Sequence, residues 1–153
     1  MREPLNGGIL RKMHKETKHV KSAWISHKKE NNINKKPWGY ETSWSGFNGI
    51  HGKSLFIKQG CRTSFKYHPL KSEVLFLREG HAQVTFGTEL SISDPVGYPL
   101  SVKEIFEGDC LMVQSGCPYR IKALSDCEII EIGNNLFDKP FRIEDDFGRE
   151  NKE

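Results

Sequence analysis

The stretch "GCRTSFKYHPLKSEVLFLREG", residues 60 to 80, decides the fold. It begins and ends on glycine and holds a lysine, a histidine and a glutamate between two apolar runs. Strand residues two apart share a face, so Lys66 and His68 point together and Tyr67 points away. A turn at "PLKS" is expected to return the chain antiparallel, placing Glu73 across a hairpin from His68. Two strands then deliver an imidazole, a carboxylate and an ammonium to one spot. Polar groups that converge inside a small barrel are costly unless they are used or satisfy one another, which makes Lys66, His68 and Glu73 a candidate site.

The same punctuation continues on both sides. "KSLFIKQG", "HAQVTFG", "DCLMVQSG", "YRIKAL" and "CEIIEIG" are short, rich in β-branched, aromatic and aliphatic residues, and mostly end at glycine. The expected class is all-β, a sandwich or barrel built from residue 38 onward. "TELSISDPVGYPLSVKEIFEGD" carries Asp94, Pro95, Gly97 and Pro99 in its middle and reads as a long excursion between two halves of that barrel.

A chain of 153 residues accommodates one domain and a tail. Net charge is +3, yet residues 1 to 35 hold nine Lys/Arg against three Asp/Glu, so the basicity belongs to an N-terminal extension and residues 36 to 150 form the domain. Leu10, Met13, Val20 and Trp24 recur in the extension at loosely helical spacing. A basic arm for nucleic acid or an anionic membrane is one reading of it. We read it as a solvated extension lying across a neighbouring subunit. No apolar run approaches the roughly 20 residues of a membrane span, and no signal-peptide pattern opens the chain, so a cytoplasmic location is expected. Cys61, Cys110, Cys117 and Cys127 are irregularly spaced without a C-x-x-C, which points to reduced, mostly buried thiols.

Gly60, position 66, His68, Glu73 and Gly80 resemble the first motif of the cupin family: a glycine, five residues, H-x-H, four residues, E, six residues and G. The second motif would run from Gly108 through "DCLMVQSGCPYRIKA", with Tyr119 where the last histidine ligand normally lies. "KPWGYET" at 36 to 42 and "FRIEDDFGRE" at 141 to 150 are similar to the opening and closing segments of type II mannose-6-phosphate isomerase, the cupin often fused behind mannose-1-phosphate guanylyltransferase. The resemblance covers residues 36 to 150. It implies a double-stranded β-helix, the jelly-roll cupin barrel, and pairing into a homodimer, with which the outward apolar residues Val74 and Phe76 are compatible.

The resemblance also implies where a metal would sit. The family's ligand positions are held by Lys66, His68, Glu73 and Tyr119, so only His68 and Glu73 remain as ligands. Zinc takes three or four protein ligands, and a protonated lysine has no lone pair to offer and repels the ion. No tightly bound cofactor is therefore expected, a divalent metal such as zinc being confined to His68 and Glu73. Lys66 is expected to supply the missing charge by pairing with Glu73, supported by Tyr119 and His68.

Two functions follow from the resemblance. One is isomerisation of a phosphorylated sugar or nucleotide sugar, which needs a base to move a proton between adjacent carbons and an electrophile on the carbonyl. Without metal, Lys66 or Tyr119 serves as electrophile and His68 or Glu73 as base, while Arg142 grips phosphate or else pairs with Glu144 or Asp145. The other is a non-catalytic cupin that binds a sugar or small anion and has lost its metal site. Trp38 reads as an anchor of the first strand, and Arg149 as a surface or interface charge.

Overall fold

The computed structural model describes residues 21–27, 32–44, 46–134 and 138–151. Among them the regular structure is entirely β. Eleven strands occur: β1 (Ile33–Lys36), β2 (Gly39–Ser43), β3 (His51–Ile57), β4 (Phe65–Tyr67), β5 (Glu73–Glu79), β6 (His81–Phe86), β7 (Ser101–Phe106), β8 (Cys110–Val113), β9 (Tyr119–Ala123), β10 (Cys127–Gly133) and β11 (Phe141–Glu144). They form two antiparallel sheets, β1-β2-β3-β10-β5-β8 and β11-β4-β9-β6-β7, that face each other as a jelly roll.

Alternation decides what lies between the sheets. On β5, Leu75 and Leu77 are buried while Val74 and Phe76 are only partly covered, and Ile129 on β10, Ile57 on β3 and Ile121 on β9 close the same core. Each such buried aliphatic side chain contributes about 2 kcal/mol of transfer free energy. The turn from β5 into β6 is made at Gly80, with φ +103° and a position where a Cβ would run into the backbone of Asp126.

The inward face of the larger sheet changes character along its length. Glu73 precedes Leu75 and Leu77 on β5, Glu131 follows Cys127 and Ile129 on β10, and His51 and Lys53 precede Leu55 and Ile57 on β3, all in the buried phase. Register places Glu131 opposite Lys53 and Gly133 opposite both His51 and Glu73. One end of the barrel is therefore aliphatic and the other charged.

Four expectations are corrected. The turn at "PLKS" is not a hairpin, because β4 pairs with β9 and β11 whereas β5 pairs with β10 and β8. Pro69 has no N–H to give, and the amides of Leu70 and Lys71 donate to Asp138 Oδ2 at 2.7 and 2.9 Å, so the chain steps between sheets. The excursion after β6 is not a crossing between halves: residues 101–106 form β7, an edge strand paired with β6, which its exposed Lys103 and Glu104 hid from an apolar pattern. The barrel begins inside the basic extension, since Ile33–Lys36 pairs with β2. Cys110 is exposed, while Cys127 is buried and Cys61 and Cys117 are half-buried. Leu10, Met13 and Val20 lie outside the described residues; Trp24 is exposed but meets Phe47 edge to face at 4.8 Å between ring centroids.

No helix among the described residues is long and apolar enough to cross a membrane.

Candidate functional site

At the charged end a cavity of 270 Å³ opens between the sheets, lined among others by Trp38, Trp44, His51, Lys66, His68, Lys71, Glu131 and Arg142. Glu73, buried at the first position of β5, meets two of the lining residues, His68 and Lys71. The Tyr119 hydroxyl donates a short hydrogen bond to its Oε2, and His68 Nε2 stands 3.2 Å from its Oε1. His68, Glu73 and Tyr119 thus come together although they belong to three segments of two sheets. The carbonyl of His68 is held by the amide of Gly116 at 2.7 Å, which ties the end of β4 to the loop before β9.

The expected Lys66–Glu73 ion pair is replaced. Lys71 Nζ lies 2.5 Å from Glu73 Oε1 and 2.9 Å from Glu131 Oε1, so this loop lysine bridges the two buried carboxylates. Its position is set by the Asp138 contacts and by Ser72, whose amide donates to Asn134 Oδ1 at 2.8 Å. Gly133 makes the space, for a Cβ there would fall 2.9 Å from Lys71 Cε. Lys66 Nζ instead rests 5.7 Å from the centroid of the Tyr119 ring and has no ion-pair partner among the described residues. It is half-buried, and water exclusion in the cavity wall dominates the attraction of Glu73 and Glu131, drawing its pKa below the usual lysine value.

The charges continue as a ladder across the sheet. Glu131 lies 3.7 Å from Lys53, Lys53 lies 3.0 Å from Glu41, and Glu41 lies 3.4 Å from Lys36. Burial pushes the Glu73 carboxyl up, but Lys71 and Lys66, with hydrogen bonds from Lys71 and Tyr119, outweigh it and hold the pKa below the ordinary carboxylate value. Burial lowers the Lys71 ammonium, and Glu131 and Glu73 reverse that to a net rise. For Tyr119 burial and the Glu73 charge act together and raise the pKa well above the usual phenol value.

His68 titrates at about 3, because burial and then the charges of Lys71 and Lys66 oppose a second proton. A carboxylate only accepts, so the single ring proton belongs on Nε2 facing Glu73. His68 Nδ1, which is buried and has no hydrogen-bond partner among the described residues, then carries an enclosed lone pair.

The C-terminal segment closes one wall of the cavity. Arg142 lines it, with Nε buried and unpartnered and Nη1 donating to the carbonyl of Glu150 at 3.2 Å. It pairs with neither Glu144 nor Asp145. Arg149, read from sequence as a surface or interface charge, also lines the cavity and grips Asp145 through Nη2 at 2.7 Å, holding that carboxyl down at about 2. The segment is fastened by buried Arg120, whose Nε donates to the Thr63 carbonyl at 2.8 Å and whose Nη1 reaches Glu144 at 3.2 Å. Trp38 is buried in the core, as an anchor of the strand, and also lines the cavity.

Sequence reasoning missed Lys71, Lys53, Glu131 and Glu41. Lys53 and Glu131 carry a signal, since each stands in the buried phase of its strand two residues from an aliphatic core residue; Glu41, on a strand without aliphatic residues, and Lys71, placed by loop hydrogen bonds, have none.

The donor set does not suit a divalent metal. Glu73 Oε2 is taken by Tyr119, the Lys71 ammonium stands 2.5 Å from Oε1, and two ammonium groups flank His68 and Glu73. No cluster of three His, Cys, Asp or Glu side chains with metal-binding geometry occurs among the described residues.

No family model matches the chain, and no curated protein sequence matches it. Solved structures do. A formate complex of Lactobacillus farciminis oxalate decarboxylase superposes with TM-score 0.62 at 18% identity over 72% of this chain and 33% of that one. CapF, with an isopropenyl-tropolone inhibitor, gives 0.60 at 16% identity over 74% and 34%. A vicilin from Solanum melongena gives 0.53 at 18% identity over 61% and 26%. This chain spans about a third or less of the length of those chains. With the two facing sheets, these likenesses define the class: the chain has the jelly-roll fold of the cupins.

Proposed function

We propose that the protein is a metal-independent cupin whose cavity holds a small anionic sugar derivative, such as a sugar phosphate. The observation that carries this reading is the charge of the cavity wall. Lys36, Lys53, Lys66, Lys71, Arg142 and Arg149 line it against Glu41, Glu131 and Asp138. Among the described residues Lys66 has no ion-pair partner and Arg142 Nε is buried without a hydrogen-bond partner, so an incoming anion would satisfy groups that they leave unsatisfied. Trp38 and Trp44 offer ring faces for the apolar side of a sugar. Among proteins of this fold, the vicilin has different anionic ligands in structurally similar pockets, and the Lactobacillus farciminis decarboxylase was obtained with formate.

The test is calorimetric titration with mannose 6-phosphate, fructose 6-phosphate and the unphosphorylated sugars. Binding is expected for the phosphorylated pair alone, weakened about tenfold or more in Arg142→Gln. Equal affinity for mannose and its phosphate would overturn the reading.

A second reading, aldose–ketose isomerisation, is favoured by one feature: the neutral imidazole of His68 lines the same cavity as the ammonium of Lys66, which has no ion-pair partner among the described residues. His68 would move the proton between adjacent carbons and Lys66 would polarise the carbonyl. Incubation of mannose 6-phosphate with the protein decides it, since formation of fructose 6-phosphate marks the isomerisation and its absence leaves the binding function alone.

A further inference from the structure

The two sheets stand open along one side, where β1 is the edge of the larger and β11 the edge of the smaller. Residues of both edges line a second cleft there, of 430 Å³, among them Lys35, Lys36, Arg142, Arg149 and Glu150. Lys36, Arg142 and Arg149 also line the main cavity, so the two spaces adjoin across three cations. The outer wall is held in place by Asn151, whose Oδ1 accepts from the Arg142 amide at 2.7 Å and whose Nδ2 donates to the Arg142 carbonyl at 3.1 Å, folding the chain back beside β11.

Four cations thus line the cleft with one carboxylate, that of Glu150. Two are engaged elsewhere, Lys36 with Glu41 at 3.4 Å and Arg149 with Asp145 at 2.7 Å. The other two meet no carboxylate among the described residues. Lys35, exposed on β1, has no ion-pair partner there, and Arg142 gives Nη1 to a neutral carbonyl while its Nε is buried without a hydrogen-bond partner. A cleft lined by charge of one sign concentrates ions of the other.

We infer that this cleft is a second anion subsite, and that the ligand carries two separate anionic groups, as a sugar bisphosphate does. The inference rests on the reading of the main cavity as an anion site and deepens it by naming the ligand's second charged end. The sugar and one phosphate occupy the main cavity beside Lys66, Trp38 and Trp44, and the second phosphate meets Lys35, with Arg142 between them as the residue common to both spaces. A second phosphate suits the cleft better than a nucleoside, because no aromatic ring lines it among the described residues to stack on a base and Pro37 is its one apolar residue.

The full chain is titrated calorimetrically with fructose 6-phosphate, fructose 1,6-bisphosphate and UDP-glucose. The bisphosphate is expected to bind about tenfold or more tighter than the monophosphate, and Lys35→Gln to remove that advantage while leaving the monophosphate affinity unchanged. If Lys35→Gln fails to fold, Lys35→Thr, suited to an edge strand, takes its place. Equal affinity of the wild-type chain for the two fructose phosphates would overturn the second subsite and leave the main anion site standing. Failure of both to bind would overturn the two readings together. A bisphosphate advantage that survives the loss of Lys35 would place the second phosphate elsewhere and sink the inference, and UDP-glucose binding tighter than the bisphosphate would do the same by pointing to recognition of a base.

Discussion

The ammonium of Lys71 stands 2.5 Å from the carboxylate of Glu73, and the same ammonium lies 2.9 Å from Glu131. One loop cation thereby bridges two carboxylates that neighbouring strands bury, with Lys53 also 3.7 Å from Glu131. Removing one partner of a buried pair costs more than the pair contributes, because the remaining charge stays buried. Glu73→Gln is accordingly expected to destabilise the barrel by about 3 kcal/mol or more. Urea unfolding of Glu73→Gln, Lys71→Met and the double variant checks this: the double variant should lose less than the sum of the singles, and strict additivity would refute the coupling.

Metal affinity should respond to two lysines. Lys66→Gln restores an amide at one of the ligand positions implied by the cupin resemblance, but Lys71 would still occupy Glu73. Competition against a chromophoric zinc chelator should find little binding in Lys66→Gln, and clear binding when Lys71→Met and Tyr119→His are added. Tight zinc in Lys66→Gln alone would show that Lys71 is not the obstacle.

Acid should weaken the fold through His68. Its folded pKa of about 3 lies below its ordinary 6.5, so in that window the unfolded chain binds the extra proton and stability falls as pH falls. Glu73, also depressed, adds loss at the lower end of the window as it is protonated. His68→Asn should flatten urea midpoints across the upper part of the window, above the carboxylate range. An unchanged slope in that variant would mean that His68 is not the group responsible.

The C-terminal wall should depend on Arg120. This guanidinium, 6% exposed, fastens Thr63 to Glu144, so Arg120→Met is expected to cost about 2 kcal/mol and to free the strand that carries Arg142. Hydrogen exchange should accelerate through residues 141–151 while the amides of β5 and β10 stay protected. Uniform acceleration would indicate global destabilisation instead.

Alternation of two is a local property, and so the strand-rich class, the aliphatic core of Leu75, Leu77 and Ile129, and the inward placement of Glu73 were all legible in the sequence. The convergence of His68, Glu73 and Tyr119 was legible too, through motif spacing. Which lysine meets Glu73 was not, although Lys66 and Lys71 are only five positions apart. That choice depends on Asp138 and Asn134, more than sixty residues downstream, which capture the amides of Leu70, Lys71 and Ser72 and turn a presumed hairpin into a step between sheets. The ladder through Lys53, Glu131 and Glu41 likewise exists only because non-local register sets β2, β3 and β10 side by side. Hydrogen bonding across long sequence separations, which no local period encodes, left Lys66 unpaired and put Lys71 in its place.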